Sequence, residues 1–348
     1  MEKKINENDK MYDIATLYKR DVELHNDFIF YGSYDFGEVE LKIVHYLAMN
    51  VDSKVDYDEA GNPIYRTIYP ITFKRFCAST GMPRNGESYN EISNAIKMLT
   101  IKNIEILRPN NSFTDLRFIL RRTEFVNPNN RFAVVEIDER LMPFLVNKKY
   151  NFTKNPGQYV LRLRGKYPQR VYMNIKAQMD KERGQEIKQF RARYGKEYKN
   201  YDDEIKKSYI KLTEDLDKKL YNIPFELVQT CKSFCLPKSL QYVSRLKNKI
   251  IKPSMKTINQ LGAVIIEDVI EDKKNEAVIC ITRYKTPMEL YETDKAIEEA
   301  LNKIKDFGPE EENNYDKSVF SIENGVFVKG NEIYKIEELT DEALSDFS

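Results

Sequence analysis

One order of local signals occurs twice in this chain, and the repetition constrains the fold more than any single motif. The second copy is the sharper. Its centre is Pro237-Lys-Ser-Leu-Gln-Tyr-Val-Ser-Arg-Leu-Lys-Asn-Lys-Ile-Ile-Lys252, which reads as one helix. At about 100° per residue, Leu240, Val243, Leu246 and Ile250 share one side, while Lys238, Gln241, Tyr242, Arg245, Lys249 and Lys252 fall within about 100° of arc on the other. One face is apolar and the other is cationic. A shorter helical piece over 224–231 precedes it, and two β-type runs, 263–269 and 277–284, follow on either side of the charged turn 271–276. Helix, turn, helix and hairpin in that order make a winged helix, whose second helix can enter a DNA major groove.

The first copy has the same phase with different chemistry. Asp35 stands where it could cap a helix over 37–51 with Val39, Ile43 and Leu47 facing inward. A strand over 66–71, a short helix over 72–79 and the break Gly81-Met-Pro-Arg-Asn-Gly86 lead to a helix over 87–102, with Tyr89, Ile92, Ile96 and Leu99 on one side. Runs over 104–108 and 116–125 flank Asn110-Asn-Ser and read as the hairpin. Ile71-Thr-Phe73 stands 17 residues before Ser88, as Ile223-Pro-Phe225 stands 16 before Ser239. The outward face holds Asn90, Glu91 and Asn94, with Arg84 and Asn85 at the helix entrance, and is not cationic. A strand over 132–137 follows, and a helix after Lys166, with Val171, Tyr172, Ile175 and Met179 inward, opens the second copy.

The expected fold class is therefore α+β, two tandem winged-helix (helix-turn-helix) domains with a charged helical insertion and a small acidic C-terminal extension. The boundaries are an arm over 1–35, a first winged-helix domain over 36–150, a second over 151–286 that carries the insertion 181–220, and the extension over 287–348. Charge follows this division. A formal net charge of +1 over 348 residues hides 17 acidic groups against 6 lysines from Met288 onward, so the body carries 50 basic and 38 acidic groups. Such a body suits a polyanion, because each phosphate it neutralises releases condensed counterions. The polar start and the lack of an apolar run near the roughly 18–20 residues of a membrane span point to a cytoplasmic protein with no membrane partner.

Catalytic signatures are missing. His25 and His45 are the only histidines, so no His-x-His metal pair accompanies the 23 tyrosines, as a rolling-circle initiator would need. Gly81-x4-Gly86 begins like a phosphate-binding loop, yet Glu87 stands where the lysine belongs. Cys231 and Cys235 have no second pair to complete a zinc site, and all four cysteines read as reduced thiols. Binding is expected rather than catalysis, with no cofactor and no metal.

Two stretches resemble a known family. Arg245-Leu-Lys-Asn-Lys-Ile-Ile-Lys-Pro-Ser-Met-Lys-Thr-Ile-Asn259 is similar to the recognition helix and following proline-containing segment of iteron-plasmid replication initiators of the Rep_3 type, with Ser254 and Thr257 where Ala and Glu are usual. Leu163-Arg-Gly-Lys-Tyr-Pro-Gln-Arg-Val-Tyr172 resembles the opening of that family's second domain. The resemblance spans about residues 36–286. It implies a protein that binds direct repeats in double-stranded DNA at a plasmid origin, helps to open it, and recruits a host replication initiator and helicase. It also implies a monomer–dimer equilibrium, with a dimer formed through the first domain repressing its own gene; the strand over 132–137 is the candidate for part of that interface.

Within this reading Lys238, Gln241, Tyr242, Arg245 and Lys249 carry the main DNA contact. Arg245 is the base reader, since a guanidinium bridges guanine O6 and N7. Lys238 and Lys249 hold phosphates, joined by Arg283 and Lys285 from the end of the wing. Arg84, Asn85 and Asn94 add weaker contacts. The rival is a dimeric winged-helix transcriptional regulator without a replication role, reading a palindrome with one domain from each subunit.

Overall fold

Residues 20–51, 55–107, 113–127, 130–146, 152–195, 201–305, 326–329 and 332–335 are described by the computed structural model. The chain enters the core at the start of that range. β1 (Asp21–His25), α1 (Asn26–Tyr31) and β2 (Gly32–Ser33) bury Val22, Leu24, Phe28 and Ile29. The expected arm over 1–35 thus does not extend over residues 21–35, whose apolar side chains are withdrawn from water as part of the first domain. In α2 (Glu38–Asn50) Val39, Ile43 and Leu47 face inward as expected. Asp35 does not cap it. Gly37 is the cap residue, its N–H donates to the Glu40 carboxylate at 2.7 Å, and Asp35 pairs with Lys166 at 2.9 Å.

A short exposed hairpin of β3 (Asp56–Tyr57) and β4 (Pro63–Ile64) leads into the first helix-turn-helix: β5 (Ile68–Thr72), α3 (Phe73–Thr80) and α4 (Gly86–Leu99). Gly81 ends α3 with φ 71°, a left-handed conformation that a Cβ would strain. The strands that follow differ from the single expected hairpin. β6 (Asn103–Leu107) pairs with β7 (Phe113–Arg117), and β2 adds to the outer edge of β6. Phe118, fully buried, then bends the chain into a second hairpin, β8 (Ile119–Asn127) with β9 (Asn130–Ile137). That second hairpin is the wing, while the turn at 110–112 lies outside the described residues.

The strand over 132–137 belongs to β9, which lies between β5 and β8. Both its edges are hydrogen-bonded within the domain, and Ala133, Val135 and Ile137 point into the core. It has no free edge to extend into a second copy.

A 3-10 turn, Glu139–Leu141, and α5 (Met142–Val146) lead to β10 (Phe152–Pro156), which pairs antiparallel with β1. After α6 (Gly157–Val160) comes α7 (Lys166–Tyr194), 29 residues long and so about 43 Å at about 1.5 Å per residue. Its first half buries Val171, Tyr172, Ile175 and Met179. Its second half projects, stops at Gly195 (φ 101°), and is matched by α8 (Asp203–Lys218). Arg183 with Asp217, Lys219 with Glu186 at 2.6 Å, and the rings of Phe190, Tyr201 and Tyr209 hold this helical pair together. The charged stretch 181–220 is therefore largely the continuation of the second domain's first helix and its returning partner.

The second helix-turn-helix is β11 (Tyr221–Glu226), α9 (Leu227–Ser233) and α10, which consists of the consecutive pieces Val243–Arg245, Leu246–Ile251 and Lys252–Leu261. Its wing is β12 (Val264–Asp272) with β13 (Ala277–Tyr284). The sheet order is β11-β13-β12, matching β5-β9-β8 in the first domain. The repeat is one of topology as well as of sequence phase. One apolar cluster runs through both copies, from Val22 to Cys280.

The acidic extension expected from residue 287 also divides. α11 (Pro287–Lys305) buries Ile297 and places Asp294 within 2.8 Å of the Tyr159 hydroxyl, so it packs on the domain before it. Residues 305–348 form a separate unit, in which β14 (Val326–Lys329) pairs with β15 (Glu332–Lys335).

Candidate nucleic-acid interface

The helix expected over 237–252 begins later and is not regular. Lys238–Leu240 is a separate 3-10 turn, closed by the Gln241 amide donating to the Leu236 carbonyl at 2.7 Å. Tyr242 is extended (φ −139°, ψ 141°) and is the residue from which α10 starts. Lys238 and Gln241 therefore stand before the recognition helix, and Arg245 and Lys249 on it. Leu246–Ile251 is π-helical, and the Lys252 N–H donates to Lys247 O, five residues back.

Pro253 explains the irregularity. In a regular helix its ring would clash with the Lys249 carbonyl and it has no N–H to offer, so the turn widens to admit it. Ser254 Oγ donates to Ile250 O at 2.6 Å just beyond. A π turn holds about one extra residue, which rotates the positions after it by about 100° from the α-helical phase. Leu246, Ile250, Ile251, Ser254 and Ile258 consequently share the buried side. Arg245, Lys249, Lys252 and Lys256 are all exposed, over a broader arc than a narrow stripe.

Arg245 is held by its surroundings. Nη1 donates to Ser239 O at 2.6 Å, and the guanidinium lies 5.5 Å from the centre of the Tyr242 ring. That leaves further N–H groups of its fork for another acceptor. Tyr242 is 59% exposed. Among the described residues, Lys238, Lys249, Lys252 and Lys256 have no carboxylate within ion-pair distance, whereas Lys247 lies 3.6 Å from Glu271.

Arg283 and Lys285 do not join this group. The strand register pairs Ile265 with Arg283 and Asp272 with Ala277, so Arg283 is at the root of the wing and the tip is at 272–277. Arg283 is clamped between Glu267 at 2.6 Å and Glu289 of α11 at 2.7 Å. Glu289 is held down to about 2 by Arg283 and by bonds from Thr286, and Arg283 is raised in turn by the two carboxylates. Lys285 is buried, with Nζ 2.7 Å from Thr293 Oγ1, and burial lowers its pKa. A cation neutralised or buried in this way has little to offer a phosphate. The exposed cations of the wing are Lys273 and Lys274 at its tip. Their place in the charged turn was the available signal for them, as the helical spacing was for Lys256.

In the first domain Arg84 and Asn94 are exposed. Asn85 caps α4, its Oδ1 accepting the Ser88 N–H at 2.9 Å, so that oxygen is committed. Arg131, on the neighbouring wing, donates to Asn90 at 3.0 Å and pairs with Glu124 at 2.6 Å. With Glu91 and Lys97 also exposed, the face is mixed in charge. Among the described residues no cluster of His, Cys, Asp or Glu could hold a metal ion, and no helix is long and apolar enough to cross a membrane.

Two winged helices with the same strand order make this a tandem winged-helix protein. Residues 21–176, which begin at β1 and run into α7, match the family model described as Initiator Replication protein, WH1. Two solved structures are similar. The crystal structure of RctB domains 2–3 has a TM-score of 0.30 and 11% identity, over 65% of this chain and 78% of that one. The selenomethionine derivative of RctB domains 2 and 3 has a TM-score of 0.30 and 10% identity, over 63% and 75%. No curated protein matches the sequence.

Proposed function

We propose that this chain is a plasmid replication initiator that binds direct repeats, iterons, at the origin. The observation that carries the reading is the pair of topologically equal winged helices with unequal chemistry in a chain whose residues 21–176 match the initiator family model. One domain presents Lys238, Arg245, Lys249, Lys252 and Lys256, while the other presents Arg84, Asn94 and Lys97 beside Glu87 and Glu91. Unequal readers in one chain suit an asymmetric repeat, with the second domain supplying most of the affinity. Origin opening, recruitment of a host replication initiator and helicase, and self-repression as a dimer complete the reading. None of these roles requires the protein to make or break a covalent bond, so it acts as a binding protein without a cofactor.

The test is selection of duplex DNA from a random pool by the full-length protein at two salt concentrations. Enrichment of an asymmetric site spanning about two helical turns supports the reading, and permanganate-reactive thymines beside tandem copies of it would show opening. A compact palindrome would favour a dimeric regulator instead. No salt-sensitive enrichment would overturn DNA binding altogether.

A further inference from the structure

Two buried arginines, eight positions apart around the start of α7, reach one helix-turn-helix each. Arg162, 7% exposed, donates from Nη2 to Ala78 O at 3.2 Å, in the last turn of α3. Its guanidinium also lies against the turn between α3 and α4, where a Cβ on Gly81 would stand 3.3 Å from Nη1. Arg170, 6% exposed, donates from Nη2 to Ser233 O, the last residue of α9. Its other acceptors are main-chain carbonyls of the first domain, Tyr34 at 2.6 Å and Gly32 at 3.3 Å. The rings of Tyr34 and Phe234 lie 4.1 and 4.7 Å from it, one from each domain.

The equivalence is chemical as well as positional. The final carbonyls of a helix have no partner within it and carry the negative end of its dipole, so a guanidinium is a fitting ligand there. α3 and α9 are the helices that lead into the two recognition helices. A buried guanidinium that loses an acceptor is left charged and dry, so each contact resists displacement. Ser33 Oγ donating to Lys232 O at 2.9 Å and Gln229 Nε2 donating to Phe30 O at 2.8 Å brace the same joint.

We infer that Arg162 and Arg170 are positioning residues that fix the separation of the two recognition helices and so set the spacing between the two blocks of bases that one chain reads. The inference rests on the DNA-binding reading above. It adds that discrimination between spacings resides in two side chains remote from the DNA-facing surface.

The experiment uses the full chain and the site it selects from the random pool. Affinity is measured for that site and for versions with one to five base pairs inserted between its two contacted blocks. Two inserted pairs turn one block about 70° around the axis, at about 10–10.5 pairs per turn. Wild-type affinity should fall at least about tenfold across this series. R162Q and R170Q, checked by near-ultraviolet circular dichroism for a native fold, should distinguish the spacings by less than about threefold, while R162K and R170K restore part of the discrimination. Folded glutamine variants that keep the wild-type spacing profile would overturn the inference. So would a wild-type protein indifferent to spacing, a measurement that needs no variant to fold. If no site is enriched at all, the DNA-binding reading fails and takes this inference with it; enrichment with indifference to spacing removes the inference alone.

Discussion

At the scale of single residues, Arg245 and Arg283 show what a guanidinium's neighbours decide. Arg245 is tethered by one N–H to Ser239 O and keeps the rest of its fork. Replacing it with alanine should lower discrimination at one base position by about 1–3 kcal/mol, with a smaller loss on random DNA, as read from competition binding. Arg283 has both sides occupied by carboxylates. Arg283→Ala should leave DNA affinity within about twofold and lower stability instead. The sign follows from Glu289, whose folded pKa of about 2 lies below its ordinary 4.5. Its contribution is complete above pH 4.5 and disappears as pH falls toward 2. The gap in urea midpoint between wild type and variant should therefore be widest near neutrality and narrow steadily below pH 4.5; a gap that widened in acid would exclude the assignment. Helical spacing showed which cations share a face. It could not show that Glu267 and Glu289 would close on Arg283, because that depends on strand register and on where α11 docks.

At the scale of elements, α10 departs most from its expected form. A proline after Lys252 ordinarily reads as the end of a helix, yet the chain continues to Leu261 by widening one turn. The helical period, the apolar side and the cationic side were legible; the change of phase at Pro253 was not, because sequence spacing assumes a constant rotation per residue. Pro253→Ala removes the cause. The helix should close to a regular one, turning Lys252 and Lys256 by about 100° relative to Arg245. Specific affinity should fall about tenfold from misplaced cations, and thermal stability should fall as well, because the same rotation turns Ser254 and Ile258 away from the side that Leu246 and Ile250 bury. Unchanged affinity would show that Lys252 and Lys256 lie outside the contact. The wing offers an independent test at its tip. Lys273→Ala with Lys274→Ala should weaken binding to all sequences alike and reduce the slope of log affinity against log salt by about 2, at about 0.9 per phosphate released.

At the scale of the whole molecule, what the sequence concealed is mostly long-range pairing. Nothing in residues 21–25 names 152–156 as their partner, and that antiparallel pair is what draws the expected arm into the first domain. The two wings were separable only once β8 and β9 were seen to share a sheet with β5, as β12 and β13 do with β11. The equivalence of the copies was legible because amphipathic period and turn residues are local properties, and it bears directly on how one chain would meet DNA. If both recognition helices engage together, hydroxyl-radical footprints should show two protected blocks on one face of the duplex, about one turn apart, with one chain per site. Their energies should differ. Charge-neutralising Lys238, Lys249 and Lys252 to glutamine should remove most of the salt dependence and both blocks, because around the first recognition helix Arg84 and Lys97 are offset by Glu87 and Glu91, while the second presents Lys238, Arg245, Lys249, Lys252 and Lys256. Arg84→Gln should cost only a few-fold and fade one block. Equal effects from the two sets would mean that the first domain reads DNA as strongly as the second, despite the carboxylates Glu87 and Glu91 beside its Arg84 and Lys97.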